Sequence, residues 1–467
     1  MDEPVIHLLS ETELSLALEA EVMHPQNRSV TGISTDSRKV TETDLFFALS
    51  GERFDAHDFI PSVIAKGCRA IVVSKDVEVS EDVAVFRVAD VLKSLGFLTR
   101  KLIERRRACG PFQVYGITGS NGKTTTKEIL ASLLEVQGKR VLKTAGNFNN
   151  NIGLPLTVAG LCVEHDVAVL EMGANAPGEI DYLCSIGLPD AGIITSIGNA
   201  HLEGFGSIEG VASAKGEMLN WVKKIVLPSD TKPYYADSIS SDLEVTWIGA
   251  GGTAYTSDVT QNLEGIAFLM HTAAGHYPVR LPLLGVHNAE NFVRAFALID
   301  NNTWSSARIQ EAAEHVRLPS GRMEHHAGIG GISLIHDAYN ANPSSMQKAL
   351  DLMAQISTPS HRCLILGDMR ELGATSDVLH HELGEKAARL GAKRILCVGD
   401  SAEHIAAGAL SVGFSPSDVM TCSTEHLSDG LDWLKPALTE GCVCLIKGSR
   451  GVRLERVLED LKCKEAD

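Results

Sequence analysis

An apolar run, Val114 to Ile117, leads directly into Thr118-Gly119-Ser120-Asn121-Gly122-Lys123-Thr124-Thr125-Thr126, and this junction constrains the fold more than any other stretch. A glycine-rich turn between a strand and a helix aims backbone N–H groups at one point, where the helix N-terminus adds partial positive charge. Lys123 then reaches terminal phosphate oxygens, and the Thr124 hydroxyl suits Mg²⁺. Gly119, Ser120, Asn121, Gly122 and Thr125 complete the cradle. Strict phosphate-loop spacing would put glycine at Ile117, so the chain carries a variant of the motif. The alternative is a chance glycine turn; the Gly-Lys-Thr context favours a site for a nucleoside triphosphate.

A chain of 467 residues is too long for one core, and about three domains is the natural division. The formal charge of −17 argues against nucleic acid or an anionic membrane surface as partner, since both reward basic surfaces. An anionic substrate would need local Arg and Lys. Ten cysteines form no Cys-x-x-Cys pair, which favours buried free thiols in a reducing compartment over a metal site. With no signal-like start and no membrane-length apolar run, a cytoplasmic protein without membrane insertion is expected.

Texture divides the chain at about 1–108, 109–318 and 319–467. The first stretch mixes short strand-like runs (Asp44 to Leu49, Ala70 to Val73) with a helical pattern from Val91 to Arg106, ending in Arg105-Arg106-Arg107, which reads as a solvated helix end. The second repeats strand then helix around the phosphate loop, and Val167 to Met172 and Gly192 to Ile197 resemble strands of a buried parallel sheet. Val245 to Ile248, Ile266 to Met270 and Tyr277 to Leu284, separated by glycines, suggest an antiparallel patch. The third alternates apolar runs at 332–335, 363–366, 394–398 and 443–446 with helical patterns, a βαβ signature. The fold class is therefore α/β in three domains: a mixed N-terminal unit, a central phosphate-loop unit with a parallel sheet, and a Rossmann-like C-terminal unit.

Glu171 ends a strand-like run, where an acid at the carboxyl edge of a parallel sheet faces the phosphate loop and can hold Mg²⁺. His201 follows the next strand and falls on the same rim. Lys215, read alone, is a surface lysine. Asn288 and Asn291 stand three apart on one helix face, and carboxamides match the donor–acceptor edge of adenine; a helix cap would account for Asn288 alone.

Several further segments resemble the Mur ligase family, from about residue 30 to 455. They are Gly146-Asn147-Phe148-Asn149-Asn150-Asn151-Ile152-Gly153-Leu154-Pro155, Ala200-His201-Leu202-Glu203-Gly204-Phe205-Gly206-Ser207, Asp337-Ala338-Tyr339-Asn340-Ala341-Asn342-Pro343, Leu366-Gly367-Asp368-Met369-Arg370-Glu371-Leu372-Gly373 and Lys447-Gly448-Ser449-Arg450. They are most similar to the branch that adds D-alanyl-D-alanine to UDP-N-acetylmuramoyl-tripeptide; an Asp-Asn-Pro-Arg segment typical of the sister branch is absent.

The resemblance implies an ATP-dependent amide ligase working through an acyl phosphate, as a monomer, with those two small molecules as substrates. It implies two Mg²⁺ ions, one held by Thr124 and Glu171, the other by His201 and a carbamylated Lys215, with Lys123, Lys215 and His201 as the catalytic set. Arg322 would reach ATP phosphates and Asp337 its ribose, with Tyr339 and Asn340 lining the same interface. Ser37 and Arg38, in Ser34-Thr35-Asp36-Ser37-Arg38, would bind the uridine diphosphate, making the first stretch a UDP-substrate domain, and Asn147, Asn149 and Asn150 the muramoyl peptide. The chain departs from many relatives in reading His336-Asp337 for Asp-Asp, which removes one acid from that edge. Folylpolyglutamate synthases share the loop, and a nucleotide-dependent switch protein is the reading from another class.

Overall fold

The structure, a computed structural model, describes residues 3–51, 54–198, 202–299 and 303–463. Four β-sheets organise them. The first holds β1 (Glu21–Met23), β2 (Gly32–Ser34), β3 (Asp44–Phe47), β4 (Ala70–Val73) and β5 (Ala84–Arg87) in the order β1-β5-β4-β3-β2, parallel except for β1 against β5. A long helix, Val91–Ala108, follows, capped by the Asp90 carboxylate on the amides of Leu92 and Lys93.

The second sheet is wholly parallel and contains β6 (Gln113–Thr118), β7 (Val141–Lys143), β8 (Val167–Glu171), β9 (Ala191–Ile194), β10 (Lys224–Pro228) and β11 (Glu244–Ile248) in the order β11-β10-β9-β6-β8-β7. Successive connections leave β6 toward opposite edges, so a crevice opens at the carboxyl ends of β6, β8 and β9, where ligands bind in folds of this kind. Every residue of β8 and β9 is buried, which explains their unbroken apolar reading. The helix Lys123–Val136 covers this sheet and is itself covered by His287–Ile299, whose Phe292 and Phe296 are fully buried. Burying each contributes about 1.5–3 kcal/mol.

β12 (Tyr255–Asn262), β13 (Gly265–Thr272) and β14 (Gly275–Leu281) form a separate antiparallel sheet. The antiparallel patch is thus present, but the Val245 to Ile248 run does not belong to it. Those residues lie in β11 and pair parallel to β10, because they follow a crossover through short helical turns rather than a hairpin.

The last sheet contains β15 (Glu324–Ala327), β16 (Ser333–Asp337), β17 (Arg362–Gly367), β18 (Arg394–Val398), β19 (Val419–Cys422) and β20 (Val443–Lys447) in the order β15-β16-β20-β17-β18-β19. Only β15 runs antiparallel to its neighbour. Cores lie on both faces of this sheet, as the βαβ pattern predicts.

The basic run ending the Val91–Ala108 helix is not solvated as expected. Arg106 is buried, donates to the carbonyls of His165, Gly110 and Pro111 and stacks on Phe112, while Arg107 pairs with Asp190 at 2.9 Å. Both arginines join this helix to the second sheet. Six of the ten cysteines are buried, and all ten are free thiols. Among the described residues, no helix is long and apolar enough to cross a membrane.

Candidate active site

Parallel pairing sets Ile117 opposite Glu171, so β8 delivers a carboxylate beside the turn that follows β6. Glu171 is buried. Its Oε2 accepts from the Thr124 hydroxyl at 2.8 Å, its Oε1 from the Asn149 amide at 2.9 Å, and its own N–H donates to the Thr144 hydroxyl. Two hard oxygen donors therefore face the loop together, the donor set Mg²⁺ prefers.

The loop itself depends on two glycines in the left-handed φ range. At Gly119 (φ +136°) a Cβ would meet the Thr195 hydroxyl at 2.1 Å, and at Gly122 (φ +85°) it would meet the Asn291 amide oxygen at 2.9 Å. Residues after β9 brace the turn: the Ser120 amide donates to the Ser196 carbonyl and the Asn121 amide to the Ser196 hydroxyl. That bracing has no signature in the loop sequence. The helix starts at Lys123, so the amides of Lys123, Thr124 and Thr125 lack acceptors within it and point toward the crevice.

Lys123 folds back on the Gly119 carbonyl at 2.8 Å. Burial pushes its pKa down, opposed by the Glu171 charge and reinforced by Arg322. Lys215, on the helix Ile208–Gly216, is buried with its amine 3.0 Å from the Ala174 carbonyl. Burial and then the Lys123 charge lower its pKa to about 7, while Glu179 and Glu217 act the other way. A lysine that loses its proton near neutrality is a nucleophile toward CO₂, and a carbamate presents oxygens where an ammonium would repel a cation. His201 lies outside the described residues.

A cleft of about 1440 Å³ runs from the loop to the third stretch. It is lined by Ser120 through Thr125 and Glu171 on one side, by Asn288 and Asn291 at the base, and by Arg322, Asp337, Tyr339 and Asn340 opposite. Asn342 crosses the gap and donates to the Asn121 side chain at 3.2 Å. Asp90 and Lys93 bring the first stretch to the rim, whereas Ser37 and Arg38 are not among the lining residues. Arg38 is exposed and holds the Asp36 carboxylate through two 2.9 Å bonds.

Several predicted contacts already have internal partners. The Asn150 carboxamide oxygen accepts from Ile152 and Gly153, capping the next helix; Asn149 holds Glu171; Asn147 lines the cleft. The Asn288 amide donates to the Leu284 carbonyl, Asn291 donates to Asn288, and Arg294 donates to Asn291, so the two asparagines form one buried chain beneath Gly122. Arg322 stacks 4.1 Å from the Tyr339 ring centre, with Arg450 at 5.5 Å from the same centre. Asp337 is paired with the buried ammonium of Lys447 at 2.5 Å and accepts from the Met323 amide. The pairing of Lys447 with Asp337 has no local signature in the sequence, where Lys447 simply opens the Lys447-Gly448-Ser449-Arg450 segment.

Three family models match the chain: the Mur ligase family catalytic domain over residues 29–109, the Mur ligase middle domain over 117–299 and the Mur ligase glutamate ligase domain over 321–450. The UDP-N-acetylmuramoyl-tripeptide–D-alanyl-D-alanine ligase of Bacillus subtilis (strain 168) is 35% identical over 438 residues, covering 92% of this chain and 93% of the relative. Among solved structures, MurF from Acinetobacter baumannii superposes with a TM-score of 0.86 at 32% identity, covering 98% and 99% of the two chains. The MurF ligase of Thermotoga maritima in complex with ADP does so with a TM-score of 0.79 at 28% identity, covering 92% and 96%.

Proposed function

The chain belongs to the Mur ligase family, and from that premise we propose an ATP-dependent ligase that joins D-alanyl-D-alanine to UDP-N-acetylmuramoyl-tripeptide in peptidoglycan precursor synthesis. The observation that carries the choice of substrates is the match to that ligase over more than nine tenths of both chains. The alternation of three units, about 1–108, 109–318 and 319–467, would serve the UDP substrate, ATP and closure over ATP in turn.

The tripeptide carboxylate attacks the γ-phosphate of ATP, giving an acyl phosphate and ADP. The amine of D-alanyl-D-alanine then attacks the acyl carbon, and orthophosphate leaves with the oxygen that had belonged to the carboxylate. Activation is required because direct attack of an amine on a carboxylate would expel oxide. Lys123 and the first-turn amides of its helix hold the terminal phosphates, and Arg322 approaches them from the third domain. Asp337 is the acceptor for a ribose hydroxyl, and Asn288 and Asn291 form the floor for the base. Tyr339 and Asn340 line the wall that closes over both, excluding water from the acyl phosphate. Ser37 and Arg38 take the uridine diphosphate and Asn147 the muramoyl peptide.

Thr124 and Glu171 would hold one Mg²⁺, and Lys215 as a carbamate with His201 a second. The buried oxygen pair and the neutral-prone lysine fit such ions. Bound there, Mg²⁺ offsets the repulsion between phosphate oxygens and the incoming carboxylate. A monomer working in the cytoplasm completes the reading.

The test is incubation with ATP, Mg²⁺, the UDP-linked tripeptide labelled with ¹⁸O in its carboxylate, and either D-alanyl-D-alanine or free amino acids. Product with the dipeptide and label in orthophosphate are expected. Product only with a free amino acid would move the chain to the sister branch, and unlabelled phosphate would remove the acyl phosphate.

A further inference from the structure

Outside the ligase machinery, β15 and β16 assemble a cluster that the mechanism does not use. Glu324 and His326 stand two apart on β15 and share one face, and the register sets His336 of β16 directly opposite Glu324. Glu324 Oε2 lies 3.6 Å from His326 Nε2 and 3.5 Å from His336 Nδ1. All three candidate ligand atoms fall within 4.8 Å of one another. These separations exceed those of N–H···O hydrogen bonds, about 2.7–3.2 Å. They approach the edge, roughly 3.3 Å, of a tetrahedron with bonds of about 2.0–2.1 Å.

The nitrogens concerned are also unsatisfied. His326 Nε2 and both ring nitrogens of His336 are buried without a hydrogen-bond partner, which is uncommon enough to need a cause. Exposure rises from 4% for the His336 side chain through 13% for His326 to 36% for Glu324, so the cluster has a floor and an entrance. The Ser320 hydroxyl at 2.8 Å and the Gly321 amide at 2.9 Å both donate to that same Oε2 of Glu324; they fix the carboxylate, and an ion here would be ligated through Oε1 or after the Ser320 hydroxyl turns away.

We propose that Glu324, His326 and His336 form a binding site for one divalent cation of the zinc class, with a fourth position open to water. Two imidazoles and one carboxylate suit Zn²⁺ or Co²⁺, whereas Mg²⁺ prefers oxygen ligands only. The site is separate from Thr124 and Glu171. Its effect is mechanical: the ion ties β15 to β16 next to Asp337, and through the Gly321 amide and carbonyl it steadies the turn that carries Arg322.

The full chain, stripped with a chelator and dialysed, is titrated with Co²⁺ alone. One equivalent should give visible d–d absorption of nitrogen–oxygen ligation without a thiolate charge-transfer band, and Zn²⁺ should displace it. His326→Ala and His336→Ala should each weaken binding about 100-fold, while Glu171→Ala binds Co²⁺ as the wild type does. Zn²⁺ should also raise the melting temperature of the wild type by about 4 °C and leave that of His326→Gln unchanged; the Gln variant keeps the side chain's bulk at a partly exposed position. Unaltered stoichiometry and affinity in the histidine variants, or a thiolate band in the wild type, would overturn the proposal.

Discussion

At Lys215, burial and charge are in sharp conflict. With a folded pKa of about 7 against an ordinary 10.5, its amine is charged in both folded and unfolded states below neutrality, and the folded state carries the whole cost of burying that charge. The cost fades as pH climbs from 7 toward 10.5, because the folded amine is then neutral while the unfolded one still binds a proton. In CO₂-free buffer, Lys215→Met should therefore melt higher than the wild type at pH 6–7, with the gain shrinking toward pH 10; a difference independent of pH would contradict the buried charge. For activity, Lys215→Ala should lose about 100-fold or more, and Lys215→Glu or added short carboxylic acids should restore part of it. Full activity in the alanine variant would reject a metal role. That Thr124 and Glu171 face each other was legible from sequence because a glycine turn and a strand end are local signals. The Lys447–Asp337 pair was not: its members stand 110 positions apart and meet only because β16 pairs with β20. Breaking it with Lys447→Met should destabilise the protein by about 3–5 kcal/mol and raise the KM for ATP. Adding Asp337→Asn should recover stability but not nucleotide affinity, a split measurable by denaturant titration and kinetics.

Among the elements, strand identity followed from short unbroken apolar runs where an element was buried on both faces, as β8 and β9 are. Membership of a sheet did not. Nothing in Val245 to Ile248 distinguishes a strand parallel to β10 from one arm of a hairpin, since the partner is chosen by the preceding crossover. The arginines at the end of the Val91–Ala108 helix teach the same lesson. A run of three cations is ordinarily solvated, yet the helix ends against the second sheet, where the part-buried carbonyls of His165, Gly110 and Pro111 take their hydrogen bonds from Arg106. Arg106→Ala would leave those acceptors without their guanidinium and remove the stacking on Phe112, for a loss of about 2–3 kcal/mol. Glu104→Ala, two residues earlier and exposed, should stay within about 0.5 kcal/mol. Denaturant midpoints of the two variants make the comparison; equal midpoints would mean that the helix is not fastened there.

For the whole molecule, the geometry of the cleft sets the kind of substrate it can use. Residues of the second and third stretches share its walls, and Asn342 already touches Asn121 across it, so the proposed nucleotide site draws on both. Asp90 and Lys93 reach the rim, but Arg38 stands apart with its guanidinium on Asp36 and its side chain 86% exposed. Only an elongated substrate can engage both places, with a charged handle on the first domain and its reactive carboxylate in the cleft. A handle gripped equally in the ground and transition states acts on KM and leaves kcat alone, and that uniform grip is what the exposed Arg38 is expected to supply. Arg38→Ala should thus raise the KM for the UDP-linked peptide about 10-fold, the effect of losing one charge-assisted contact to a diphosphate, with kcat and the KM for ATP unchanged. The measurement is a full kinetic matrix in both substrates. A fall in kcat, or an equal rise in both KM values, would mean that Arg38 acts on the fold of the first domain instead of on the diphosphate, and the long-substrate argument would fail with it.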